Sequence, residues 1–155
     1  YYLCGYTFMT VGAFGVIIAL EHRGQTKHNL AMDDLSGYGI AQPFLGICMS
    51  IFMLGLAGIP PSVGFFGKLA MFGAAVDAGR TPLVIIAVLA SAVGAYYYLR
   101  IIVVMFMQPL QGKVQTVEST WLKAGLWTCS FLTLYVGTLP ETYFSMVKSL
   151  LKSWL

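Results

Sequence analysis

One side chain stands out by type and place. Lys68 is the only charged residue in "GIPPSVGFFGKLAMFGAAV", Gly58 to Val76. It lies ten residues from Gly58 and ten from Ala78 (68 − 58 and 78 − 68), or about 15 Å from either at helical rise. A lysine stem cannot cover that distance, so snorkelling leaves the charge short of water. A charge at the centre of a bilayer costs at least about 2.5–3.5 kcal/mol. A partner, a water-filled cavity or deprotonation must offset that cost. An amine shut away from water releases its proton more readily than one in water. Such a lysine can take up and release a proton where an arginine would stay charged. The competing reading is structural: an ion pair with an acid elsewhere.

The neighbours of Lys68 suit a proton site. Gly64 and Gly67 precede it and Gly73 follows. Glycine weakens a helix and admits water or neighbouring backbone. "SVGFFGK" therefore reads as a broken segment whose freed carbonyls line a hydrated cavity. Pro60 and Pro61 cannot continue the preceding helix, but Pro61 is well placed to start the next. A tight chain reversal is expected there.

Other candidates carry less. Arg100 follows "YYY" about 10 Å from the end of its apolar run, where snorkelling can satisfy it as a structural charge. His22 and His28 sit in a polar loop, as ordinary exposed histidines or as proton collectors at a channel mouth. Asp33, Asp34, Asp77, Glu118 and Glu141 all fall in loops or at helix ends. Cys4, Cys48 and Cys129 are far apart in apolar segments and read as small buried hydrophobes. There is no metal-ligand spacing, and no haem, flavin or iron–sulfur ligand set.

The elements that hold these groups follow from composition. Hydrophobic residues make up 58% of the chain and charged ones 10%, against about a quarter charged in a soluble domain. The net charge of +3 is scattered and leaves no basic run fit for a nucleic acid. Apolar runs of roughly 20 residues suit membrane-crossing helices. They are too long and too uniformly apolar for barrel strands. The expected fold is all-α: a polytopic membrane helical bundle of about five transmembrane helices, one of them discontinuous around Lys68.

The expected spans are 2–20, 43–57, 61–78, 83–107 and 121–139, with an amphipathic tail at 141–155. The tail suits either a helix along the membrane surface or the last turns of a tilted span. Glu21 to Gly39 reads as an aqueous loop with a short helix near Asn29 or Asp33. Ala87, Ser91 and Ala95 form a small-residue stripe suited to helix packing. The chain opens on Tyr1 inside an apolar run, which points to a C-terminal fragment of a longer protein. All of 1–155 would then belong to one membrane domain.

"YYLCGYTFMTVGAFGVI", "LAGIPPSVGFFGKL" and "SAVGAYYYLRI" occur in an order that resembles the antiporter-like membrane subunits of respiratory complex I, the NADH:quinone oxidoreductase, and among them the bacterial subunit N type. The resemblance covers Tyr1 to Met107 well. From Gln108 onward it rests on spacing and the final apolar run. It implies a fourteen-helix bundle with two inverted five-helix repeats, of which this chain supplies the last five helices.

By the same resemblance, Lys68 matches the proton-path lysine on the discontinuous helix of the second repeat. Gly64, Gly67 and the Pro60–Pro61 turn match the break and start of that helix. The implied function is a half-channel of a redox-driven proton pump. NADH, FMN, iron–sulfur clusters and quinone are expected on partner subunits and none on this chain. Expected partners are the other membrane subunits, the lipid bilayer and protons. The expected place is the bacterial inner (plasma) membrane. The resemblance puts the C-terminus on the periplasmic side, whereas the loop lysines and arginines lean the other way. Two rivals stay open: a multi-subunit sodium/proton antiporter or membrane-bound hydrogenase, and a non-catalytic membrane scaffold.

Overall fold

Apolar runs punctuated by proline and glycine fold into helices whose ends fall at that punctuation. A computed structural model of the chain describes residues 2–21, 32–110 and 119–138, without the side chains of Glu21 and Asp33. The tail 141–155, His22, His28, Asn29, Glu118, and the loop charges Arg23, Lys27 and Lys113 lie outside the described residues. Every regular element among the described residues is helical. These are α1 (Tyr2–Glu21), a 3-10 turn (Met32–Leu35), α2 (Tyr38–Ala41), α3 (Pro43–Ala57), α4 (Val63–Asp77), α5 (Thr81–Met107) and α6 (Thr120–Thr138).

Local chemistry sets the limits. Pro43 starts α3, and Gly58, at φ 83°, ends it. The Ser62 hydroxyl accepts from the Phe65 N–H at 3.3 Å and caps α4. The helix therefore begins at Val63, two residues after the proline expected to open it. Pro82 lies in the first turn of α5, after the Gly79 turn at φ 72°.

The core forms where α1, α3, α6 and the end of α5 meet. Phe52, Leu45 and Met49 of α3 pack with Val16 of α1, Met105 of α5 and Leu126 of α6. Small residues let the backbones approach. A Cβ on Gly12 would overlap the Phe52 ring, and one on Gly15 would press Leu126.

These contacts also give direction. Read from its C-terminal part back to its start, α1 meets Phe52 at Gly12, Gly55 at Met9, Val63 at Gly5 and Gly67 at Tyr2. One straight helix thus passes α3 and then α4 in chain order. Along α6 the order repeats: Thr133 lies near Gly55, and Gly137 lies against Pro61, Ser62 and Val63. So α3 and α4 lie end to end, and the chain does not double back at the prolines. The expected reversal gives way to a jog, because α1 and α6 together clamp both halves along one line.

The segment read as an aqueous loop is partly packed. Leu35, Ser36, Gly37 and Gly39 are buried. The Ser36 hydroxyl donates to Gln108 Oε1 at 2.9 Å, and the Gly37 N–H reaches the Val104 carbonyl at 3.3 Å. The charges of this stretch end at Asp34, and its glycine-rich end beyond it docks on the last turns of α5.

Helix length separates the elements further. Tyr2–Leu20 and Thr81–Met107 are each long and apolar enough to cross a membrane. Helices α3 and α4 have 15 residues each, about 22 Å, short of a hydrocarbon core of about 30 Å.

Candidate functional site

The end of α3 leaves two carbonyls without a main-chain donor. The Gly58 N–H bonds the Leu54 and Gly55 carbonyls, both at 3.1 Å, and the Ile59 N–H bonds Leu54 at 3.0 Å. In a continuing helix, Leu56 O would accept from residue 60 and Ala57 O from residue 61. Both positions are proline, which has no N–H. The prolines thus remove two consecutive donors, and the carbonyls they orphan carry the partial negative charge of a helix C-terminus.

Lys68 fills both places. Its Nζ donates to the Leu56 carbonyl at 3.2 Å and to the Ala57 carbonyl at 3.2 Å. An ammonium has three donors, so this seat satisfies two and leaves one. Among the described residues the seat is made of neutral dipoles and not of a carboxylate, which orients the amine without locking it in an ion pair. The side chain is half-buried by this chain alone.

Close packing fixes the seat. A Cβ on Gly64 would strike the Gly55 carbonyl, and one on Gly137 would meet the backbone of Pro61, Ser62 and Val63 at 2.6–2.7 Å. Gly67 gives room to the Tyr2 ring. Met9, Val63 and Val136 form a small apolar cluster beside the break, with Leu56 against it. The break sits between two helices of equal length, so the amine lies near the middle of the two-part rod.

Several expectations shift. The discontinuity falls at residues 58–62, upstream of "GFFGK", and α4 runs unbroken through Gly64, Gly67 and Lys68. Those glycines permit close approach and do not break the helix, because a helix tolerates glycine but loses donors at proline. The freed carbonyls belong to α3 and not to the lysine's own helix. Arg100 is exposed on α5 and takes no part in the seat. The nearby Tyr96 and Tyr97 rings pack edge to face with each other at 5.6 Å. Cys4, Cys48 and Cys129 are free thiols, of which Cys48 alone is buried. No part in seating the lysine was read from the sequence for Leu56, Ala57, Gly58, Ser62 or Gly137. The available signal was simple counting: Pro60 and Pro61 stand four residues after Leu56 and Ala57.

Comparison with known proteins agrees with this architecture. Residues 1–94 match the family model described as "NADH:quinone oxidoreductase/Mrp antiporter, TM". A NADH-quinone oxidoreductase subunit N from Myxococcus xanthus is 41% identical over 157 residues, covering 100% of this chain and 29% of the relative. Another, from Bdellovibrio bacteriovorus, is 47% identical over 108 residues, covering 70% of this chain and 22% of the relative. A chain of respiratory complex I from Thermus thermophilus with bound Aureothin superposes with a TM-score of 0.72 at 30% identity, over 90% of this chain and 32% of that one. The chain thus spans about three tenths or less of the length of these relatives. With a matching family model over most of its length and a helical bundle that superposes on a complex I chain, this protein belongs to the NADH:quinone oxidoreductase/Mrp antiporter transmembrane family.

Proposed function

We propose that this chain forms a half-channel of a proton-translocating membrane subunit of NADH:quinone oxidoreductase, with Lys68 as the group that takes up and releases the proton. The observation that carries the reading is the Lys68 amine held on the Leu56 and Ala57 carbonyls at the α3–α4 break. A carrier must be held in place, must not be neutralised by a fixed countercharge, and must keep one N–H available for exchange. This seat meets all three conditions. Helices α3 and α4, lying end to end, make one discontinuous crossing in this reading. The runs 43–57 and 61–78, counted separately from composition, then share one crossing.

In the same reading the chain is a multi-pass protein of a bacterial inner membrane, in contact with lipid and with other membrane subunits of the complex. NADH, FMN, iron–sulfur clusters and quinone act on partner subunits. The names of the relatives favour this reading over that of a sodium/proton antiporter, although the family description also names an antiporter. NADH-driven quinone reduction by the complex purified with this chain separates the two.

The test is Lys68→Met in the full protein, with proton pumping measured in vesicles. An assembled complex that no longer pumps through this subunit is the expected result. Unimpaired pumping by an assembled complex refutes the role.

A further inference from the structure

Gly58 does more than end α3. Its φ of 83° suits glycine, and its missing side chain leaves the space that the lysine occupies. An ideal Cβ there would lie 3.1 Å from Lys68 Nζ, 3.2 Å from its Cδ and 3.5 Å from its Cε. No other atom stands as near, so a substituent at this position meets the lysine first. From this geometry we infer that Gly58 is a positioning residue for Lys68: a Cβ at 58 crowds the lysine, and a side chain as long as asparagine displaces the amine from the Leu56 and Ala57 carbonyls. The consequence for pumping rests on the carrier reading of Lys68, but the positioning itself does not.

The molecule supplies its own control. Gly79 has the same left-handed backbone, at φ 72°, and a Cβ there meets nothing within 4 Å. Asparagine tolerates the left-handed conformation better than most residues. Gly58→Asn and Gly79→Asn therefore impose similar backbone demands, and only the first invades the amine's place.

The experiment is a structure of the assembled complex carrying each variant, with protons moved per NADH oxidised measured on the same preparations. In Gly58→Asn, Nζ is expected to leave both carbonyls while α3 and α4 keep their places, and the proton ratio is expected to fall by more than half. Gly79→Asn keeps both. An amine still on its two carbonyls in Gly58→Asn overturns the inference. A displaced amine with an unchanged proton ratio upholds the positioning and removes the carrier reading. Should Gly58→Asn block assembly, Lys68→Ala is added to it. Recovered assembly supports the inference, and persistent failure overturns it.

Discussion

Helices α3 and α4 have equal length and similar apolar content, yet their surroundings differ sharply. Leu45, Cys48, Met49, Phe52 and Met53 are buried along most of α3. On α4 burial stops after the first turns, at Val63, Gly64 and Gly67. Beyond Lys68, Leu69, Met71 and Val76 are exposed, and so is most of the first two thirds of α5, including Ile85, Ile86 and Leu89. Only Val104 and Met105, near its end, are buried on α5. Within this chain, Lys68 stands where the packed helices give way to an apolar arm. Composition does not distinguish the two, because in lipid an outward leucine is as acceptable as an inward one. What distinguishes them is the close packing of α3 on α1, through Gly12 against Phe52 and Gly55 against Met9.

The largest expected break in this contrast is Phe52→Ala. Phe52 is fully buried against Gly12, and its loss should cost about 3–5 kcal/mol, read as a lowered thermal or denaturant midpoint of the assembled complex. A small loss would mean that the α1–α3 core is not tight. Ser62→Ala comes next. Removing this cap should cost about 1 kcal/mol and loosen the start of α4, with the first sign in faster amide exchange at Phe65. Unchanged exchange there would show that the neighbouring glycine contacts hold the turn without the cap. The smallest effect belongs to the arm: Ile86→Ala should stay within about 0.5 kcal/mol if Ile86 faces lipid. A loss as large as that of Phe52→Ala would erase the contrast and mean that helices beyond this chain cover the arm.

The sequence made some of this readable and hid the rest. Helix limits follow from local chemistry: Pro43, Gly58 and Pro82 each mark a boundary that any chain would respect. Lys68 is visible as a charge where charge is costly. The direction taken at Gly58–Ser62 is not visible, since a glycine followed by two prolines suits a reversal as well as a jog. The choice was made by α1 and α6, through Gly5, Met9 and Gly137, which are distant in sequence. The packed end of the polar stretch was hidden likewise, because Ser36 finds its partner on Gln108 at the far end of α5. The carbonyl seat occupies a middle ground. The missing donors can be counted from the sequence, but that Lys68 reaches back to supply them depends on the offset of α4 from α3.

The central claim is that the Lys68 amine rests on two main-chain carbonyls deep within the bilayer, away from bulk water and fixed countercharge. The most direct test is a structure of the full membrane subunit in lipid, at a resolution that shows the lysine and its waters. The account predicts Nζ at hydrogen-bonding distance from Leu56 O and Ala57 O, near the 3.2 Å seen here, at mid-depth. An amine at the headgroup level, open to outside water, or bonded to a carboxylate in place of these carbonyls would contradict it.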